Sequence, residues 1–436
     1  MTVIEAYQVT TSRRTAALRA VPSLRLNTES PSAEDVLATY RRHFGNGRAA
    51  LGQFLGGMVE VSSEGSWVEV ADGRRYLDFG GYGVYILGHR HPVVTAAVHR
   101  QLDRHPMGTR TLLEPVAAEA AAALAATTPG DLDLVHFVNS GAEATEAALK
   151  LARASGHRSV ITTTSGFHGK TLGALSVTGN RTYQDPFRPL LPGVTQIAYG
   201  DLAQLAGALA MNEDSSVVIV EPVQGEGGVV VPPEGYLSGV AELCAAHGAM
   251  LVVDEIQTGM GRLGSWWGVQ SEGVVPDVLL VGKGLSGGVV PVAAMVATPQ
   301  AYAPFAKDPY LHTSTFAGSP LACAAAKAAI DVIHGEQIVE RAALLGARLL
   351  DGIRGVCARM RPPGFVEARG RGLLIGVEFD NAGAVGELAL QMIEHGVLTC
   401  HSLNSSRVLR FTPAAVLSDG EVELFLDTFE RSLAAL

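Results

Sequence analysis

Cysteine is scarce in this chain. Its 436 residues contain four, at Cys244, Cys323, Cys357 and Cys400, and no C-x-x-C pair. That spacing argues against a zinc knuckle or a disulfide framework, and no metal site is expected; it predicts reduced thiols in a reducing cytoplasm. No segment approaches the ~20 apolar residues needed to span a bilayer. The start, MTVIEAYQVTTSRRTAALRA, lacks the apolar core of a signal peptide. The expectation is a soluble, cytoplasmic protein with no membrane partner. Positive charge is also short: 33 Lys+Arg against 43 Asp+Glu leave a net charge of -10. An acidic surface repels phosphate backbones, which argues against a nucleic-acid partner. Internal repeats and low-complexity tracts are lacking.

What is abundant is apolar residue, 47% against 17% charged. That composition builds a sizeable core and excludes intrinsic disorder. The length predicts two to three domains, or one large domain with a smaller companion. Residues 1–35 read as a loose polar arm and Asp35–Phe44 as a short helix. Trp67–Val70 and Arg75–Asp78 flank Asp72-Gly73 and read as a β-hairpin. From about residue 92 strands and helices alternate. Pro92–Leu102, Pro115–Ala126, Ala142–Ala154 and Leu237–His247 are the expected helices; Leu134–Val138 and Ser159–Thr163 are expected strands. Val217–Glu221, Met250–Asp254 and Val278–Val281 lack polar alternation, as parallel strands buried on both faces do. Beyond Pro320 the pattern shifts to helices (Leu321–His334, Gln337–Arg354) and shorter strands (Leu373–Phe379, Val408–Phe411), which places a boundary near residue 320. The fold class is α/β. Glycine, 50 of 436, clusters directly after the buried strands. A parallel sheet places its ligand at those carboxyl ends, so the site is expected there.

Three segments carry chemistry. In Val138–Glu143 a strand gives way to a helix, with Ser140 and Glu143 in S-x-x-E capping spacing and Gly141 at the opening turn. Such a terminus is either an ordinary capped helix or a phosphate site. Asp254 ends a buried strand, where a carboxylate needs a cationic or hydrogen-bond-donating partner. Lys283 ends another strand between two glycines, where its amine can form a Schiff base. GKG lacks the frame of a P-loop, and no G-x-G-x-x-G opens a helix after a strand. A phosphate-ready helix, a buried Asp and a strand-end Lys together suit pyridoxal 5′-phosphate.

Several segments, in one order from about residue 60 to the C-terminus, resemble the class III aminotransferases, pyridoxal-phosphate enzymes of fold type I. They are NSGAEATEAALKLAR (Asn139–Arg153), GFHGKTLGALSVTG (Gly166–Gly179), EPVQGEGGV (Glu221–Val229), LVVDEIQTGMGRLG (Leu251–Gly264), LLVGKGLSGG (Leu279–Gly288) and HTSTFAGSPLACAAA (His312–Ala326). Within the family the chain looks most similar to the putrescine and diamine aminotransferases, through FHGKTLGALS, HTSTFAGSPLACAAA and LNSSRVLRFTP (Leu403–Pro413). The resemblance implies a large domain with a mostly parallel seven-stranded sheet and a small α+β C-terminal domain. The implied division is 1–60 (arm and helix), 61–320 (large cofactor-binding domain, its first part joining the small one) and 321–436 (small domain). It implies amino-group transfer between a primary amine, a diamine or omega-amino compound, and 2-oxoglutarate or glutamate, in ping-pong order.

The resemblance also implies roles. Lys283 bonds the cofactor aldehyde and shuttles a proton. Asp254 pairs with the pyridine nitrogen, Gln257 donates to the ring hydroxyl, and Glu221 supports that side. Phe167 stacks on one ring face and Ile256 packs on the other, with His168 orienting the surroundings. Ser140, Gly141 and Ala142 hold the phosphate, and Thr315 of a neighbouring subunit completes that site, which implies a homodimer with shared active sites. Arg410 binds the α-carboxylate of glutamate, and Glu226 covers it when the amine has no carboxylate there.

Lys170 stands where several relatives have Arg; it either contacts a carboxylate or is a solvated surface lysine. Tyr82 and Tyr85 fall at the substrate entrance or pack as aromatics. His89 and His91 read as a structural loop, and His312 as positioning Thr313–Thr315. Trp266-Trp267 reads as core or interface, and Arg371 as structural. Arg110, if it points inward, argues for an anionic or carrier-bound substrate. The other readings are glutamate-driven amination of an aldehyde or ketone in specialised metabolism, an ornithine- or 4-aminobutyrate-type enzyme, and an aminomutase or racemase that would not consume 2-oxoglutarate. A regulator built on this fold would carry a DNA-binding segment, and residues 1–60 show none.

Overall fold

The computed structural model describes residues 32–212 and 215–436, so the arm expected at residues 1–35 lies almost wholly outside the described residues. The chain divides into two compact units at Val59/Glu60. In the first, helix α1 (Ala33–His43) is capped by the Ser32 hydroxyl, which accepts the Asp35 N–H. Helix α2 (Asn46–Phe54) returns along it, joined by Arg41 donating to Gln53 Oε1 at 2.8 Å.

The second unit opens with β1 (Glu60–Glu64), β2 (Trp67–Val70) and β3 (Arg75–Asp78) in an antiparallel sheet. The β2–β3 turn is the expected Asp-Gly hairpin. Asp72 Oδ1 accepts the Arg74 N–H, and Gly73 sits at φ +85°, a conformation that suits glycine. Helices α3 (Pro92–Arg104) and α4 (Pro115–Ala125) follow, each with proline in its first turn.

The central sheet contains β4 (Leu134–Val138), β5 (Ser159–Thr163), β6 (Val194–Ile197), β7 (Ser216–Val220), β8 (Met250–Asp254), β9 (Val278–Val281) and β10 (Ala293–Ala297). Its order is β4-β10-β9-β8-β7-β5-β6, and only β10 runs against the others. Every residue of β7, β8, β9 and β10 is buried; for β7, β8 and β9 this is what their apolar runs predict for strands covered on both faces. The carboxyl ends of β4, β5, β7, β8 and β9 open on one edge. From that edge emerge Ser140, Phe167, Glu221, Asp254 and Lys283.

After the helices Pro320–Gly335 and Ile338–Met360 come β11 (Phe365–Arg371), β12 (Leu374–Phe379), β13 (Val397–Leu398), β14 (Cys400–Ser402) and β15 (Ser405–Phe411). Four of them form the sheet β11-β12-β15-β14, while β13 pairs parallel with β3. The β3 end is locked to this region by packed rings: Phe79 stacks on Phe425 at 3.8 Å, and Phe411 meets Phe425 edge-on at 5.1 Å. No helix among the described residues is long and apolar enough to cross a membrane.

Candidate active site

The helix after β4, α5 (Gly141–Ala154), begins at Ser140, whose hydroxyl accepts the Glu143 N–H at 3.3 Å. The expected reciprocal half of the capping box differs. Glu143 Oε2 reaches one residue further back, to the N–H and Nδ2 of Asn139 at 2.6 and 2.9 Å. This clamps the strand-to-helix turn and leaves the opening N–H groups of the helix facing the site edge. A Cβ on Gly141 would lie 2.8 Å from Ile256 Cδ1, so glycine is required for the turn to pack against Ile256.

Asp254 finds the donors expected of a buried carboxylate. Its Oδ2 lies 2.8 Å from His168 Nδ1, and its Oδ1 accepts the Ile256 N–H at 3.0 Å. His168 is itself pinned: its N–H donates to Thr178 Oγ1 and its carbonyl accepts from Thr145. Its Nε2 is buried and, among the described residues, has no partner, and the same holds for Nε2 of Gln257. Burial disfavours the His168 imidazolium, but the Asp254 hydrogen bond and charge outweigh it and raise the pKa.

Glu221 is 4% exposed, and its Oε2 accepts the Phe167 N–H at 3.1 Å, fixing the segment that carries that ring. Burial pushes its carboxyl up to about 7, with His168 opposing and Asp254 adding to the rise. A raised acid contributes stability that is present below its unfolded value near 4.5 and lost as pH climbs through about 7. That shift corresponds to about 3 kcal/mol. In urea unfolding of the cofactor-free protein, the midpoint is therefore expected to fall from pH 5 to pH 8, and Glu221→Gln to flatten most of that slope. Glu255, raised to about 6 by burial, and His168, raised by Asp254, act in the same direction.

Lys283 follows β9 at φ +44°, a left-handed conformation that costs a side-chain-bearing residue about 1–3 kcal/mol. The flanking glycines answer to packing: a Cβ at Gly282 would meet Ala293 at 3.3 Å, and one at Gly284 would meet Ile86 at 3.1 Å. Enclosure of the amine lowers its pKa, Arg410 adds to that, and Glu226, Asp254 and Glu221 oppose it. A neutral amine is the form that attacks a carbonyl.

Arg410, on β15, is fully buried and lies 2.7 Å from Oε1 of Glu226, itself 3% exposed. Among the described residues none of its nitrogens Nε, Nη1 and Nη2 makes a hydrogen bond, so its contact with Glu226 is an ion pair. Gln257 lies between the Glu226 loop and the Gly81–Gly83 turn: a Cβ at Gly225 would fall 2.2 Å from its Oε1, and one at Gly83 3.6 Å from its Nε2.

The remaining candidates are placed as follows. Tyr82 is exposed at the tip of that turn, at φ +51°. Tyr85 stacks on His89 at 3.8 Å, and His89 Nε2 lies 2.9 Å from Asp78 Oδ2. His91 lies 3.3 Å from Glu336. Lys170 places its ammonium over the Tyr183 ring at 3.8 Å, a cation–π contact that neither sequence reading anticipates. Arg110 is occupied, donating to the carbonyls of Thr315 and Ala317 at 3.1 and 2.7 Å. Thr315 is exposed, while its neighbour Ser314 accepts from Asn139 Nδ2 at 2.9 Å. His312 lies 3.1 Å from the Lys150 ammonium. Trp267 is buried and donates to Thr127, and Arg371 donates to Ser271.

Three residues that the sequence does not single out shape the site. Arg262, buried and with its pKa lowered to about 9 by burial, donates to the carbonyls of Gly83, Leu373 and Pro413 and so ties the Tyr82 turn to the C-terminal region. Arg369 donates to the carbonyls of Gly228 and Val229, holding the Glu226 loop. Asn404 bridges that loop's surroundings and the segment ahead of Phe167. Arg262 and Arg369 stand beside glycines and Asn404 in a serine-rich stretch, which is their only local signal.

Residues 54–433 match the family model described as aminotransferase class-III. The chain belongs to this family. Solved structures similar to the chain include an ornithine aminotransferase from Toxoplasma gondii, with partial occupancy of PLP at its active site. That enzyme is 33% identical over 100% of this chain and 98% of its own, at a TM-score of 0.86. A thermostable (S)-enantioselective omega-transaminase from Thermomicrobium roseum is 29% identical, covering 93% of this chain and 99% of its own, at 0.86. An acetylornithine aminotransferase from Elizabethkingia anophelis is 29% identical, covering 93% and 100%, at 0.80. This class III enzyme transfers amino groups, and its cofactor is pyridoxal phosphate. Its residues fit that group: a clamped helix terminus, a buried carboxylate held by His168, the buried Nε2 of Gln257, unpartnered among the described residues, and an amine of lowered pKa.

Proposed function

We propose that this aminotransferase moves an amino group between a primary amine, a diamine or omega-amino compound, and 2-oxoglutarate or glutamate in ping-pong order. The observation that carries this reading is the buried Glu226–Arg410 pair at 2.7 Å. A site serving both a dicarboxylate and an amine without an α-carboxylate needs a cation that can be covered and uncovered. A buried arginine left unpaired costs roughly 3–5 kcal/mol, and a rotating glutamate removes that cost.

Bound pyridoxal phosphate supplies an electron sink at the carbon that loses its proton. Lys283 would hold the group through its aldehyde, and its neutral amine would take and return that proton. Asp254 would keep a proton on the ring nitrogen, with His168 orienting the carboxylate. Gln257 Nε2 would donate to the ring hydroxyl, and Glu221 would support that side. Phe167 and Ile256 would pack on the two ring faces. Ser140, Gly141 and Ala142 would hold the phosphate at the helix terminus, and Thr315 from a second copy would complete that site in a homodimer. The exposed Thr315 with its carbonyl fixed by Arg110 supports that reading, since its hydroxyl-bearing loop faces outward. Arg110, held on two carbonyls, offers no support for an anionic or carrier-bound substrate. The residues after about 320 act in this reading as the small domain that supplies Arg410, and the reduced cysteines suit a cytoplasmic enzyme.

Glu226→Gln tests the pair. The amine half-reaction is expected to slow roughly 10–100-fold, because the arginine charge loses its cover, while glutamate binds more tightly. Single-turnover absorbance measurements with each substrate check this, and unchanged kinetics with both would sink the gate. Similarity to an ornithine aminotransferase favours a second reading, in which ornithine is the donor. Turnover of ornithine in place of putrescine would select it.

A further inference from the structure

Both carboxylate oxygens of Glu226 are engaged. Oε1 faces Arg410 at 2.7 Å, and Oε2 accepts the Leu403 N–H at 2.9 Å. The main chain around it is held by bonds to its carbonyls, one of them from the Leu403–Asn404 turn itself. Arg369 donates to Gly228 O and Val229 O, at 2.6 and 3.0 Å, and the Asn404 N–H donates to Glu226 O at 2.9 Å. Uncovering Arg410 is therefore a rotation of the Glu226 side chain alone, and that rotation must break the bond to Leu403.

The position of the Leu403 N–H is set by its neighbour. Asn404 Nδ2 donates to Ser165 O at 2.9 Å and Gly166 O at 3.1 Å, and its Oδ1 accepts from Asn180 Nδ2 at 2.9 Å. On the other side the Tyr183 hydroxyl donates to Leu403 O at 3.2 Å, and the Tyr183 ring carries the Lys170 ammonium. Four side-chain hydrogen bonds thus fix a two-residue turn whose Leu403 N–H goes to the Glu226 carboxylate and whose Asn404 N–H goes to the Glu226 carbonyl.

We propose that the Leu403–Asn404 turn is a latch that holds Glu226 closed on Arg410, and that Asn404 is a positioning residue setting the balance between dicarboxylates and amines without a carboxylate. The proposal rests on the covered-cation reading above and adds the element that biases it. A hydrogen bond to a carboxylate is one of the two attractions that oppose opening. Loosening it shifts the closed–open balance toward open by roughly tenfold. An open pair binds dicarboxylates better and carboxylate-free amines worse. A turn with only a structural role would weaken both ligand classes together.

The test uses the holoenzyme and Asn404→Ala. Calorimetry reads the affinity for glutarate, a dicarboxylate with no amino group to transfer, and single-turnover absorbance reads the amine half-reaction. Glutarate is expected to bind roughly five- to tenfold tighter and the amine step to slow by a similar factor. Tyr183→Phe, which removes one hydroxyl and keeps the ring under Lys170, is expected to move both in the same directions by less, and it decides the matter if the alanine variant does not fold. Glutarate binding unchanged or weakened in these variants would overturn the latch. Glu226→Gln is the control that separates the two ideas. If it too leaves glutarate affinity unchanged, the covered-cation reading fails. If it tightens glutarate while both turn variants do not, the latch alone fails.

Discussion

Lys283→Ala is expected to lower turnover at least about 10³-fold, because one amine both anchors the cofactor and carries the proton. The substitution leaves the backbone problem as it was. Position 283 sits at φ +44°, which is as unfavourable for alanine as for lysine, so no new strain enters. The protein should fold, and it should take up the cofactor without a covalent bond. Two measurements separate these effects: steady-state turnover, and retention of cofactor on dialysis before and after denaturation. A variant that keeps more than a tenth of normal turnover would show that the proton moves through another group.

Asp254→Ala carries the second-largest effect, a loss of about 10²–10³-fold in turnover, by analogy with removing one preorganised electrostatic partner at a reacting centre. The structure adds a second consequence. His168 Nδ1 and the Ile256 N–H both use this carboxylate, at 2.8 and 3.0 Å, so alanine leaves buried donors unsatisfied at a cost of about 1–3 kcal/mol. The raised pKa of His168 depends on the same carboxylate, so the variant should also lower the pKa of that histidine, whose burial is then opposed only by Glu221. Nuclear magnetic resonance of the imidazole across pH, beside turnover, distinguishes lost electrostatics from a collapsed pocket.

Much of this site is legible in the sequence because it is built from short segments at strand ends. Asp254 and Lys283 each follow an unbroken apolar run, and the capping spacing of Ser140 and Glu143 marks the helix terminus. These are local signals, and the sheet places them side by side. Strand β10 shows the limit. Ala293–Ala297 is alanine-rich, with weak strand preference of its own. It becomes a strand because β4 and β9 offer free edges on both sides of it. The latch shows the limit for function. Asn404 meets Ser165 across 239 residues of chain, and no periodicity or motif announces such a pairing. The Lys170 contact is hidden for a related reason: the exposed ammonium lies over the Tyr183 ring, a contact set by how the 171–183 segment folds back. Distant partners are fixed by packing, and sequence patterns record packing only through which faces are apolar.

The central claim is that amino groups pass between an amine and a keto acid through the Lys283 site. The most direct test is an absorbance titration of the yellow holoenzyme with putrescine in the absence of oxygen and keto acid, followed by 2-oxoglutarate. The account predicts that the visible band disappears with the amine and returns only when 2-oxoglutarate is added. A band that responds to glutamate but not to putrescine would move the acceptor to another aldehyde or ketone. A band unchanged by both putrescine and glutamate would contradict the account.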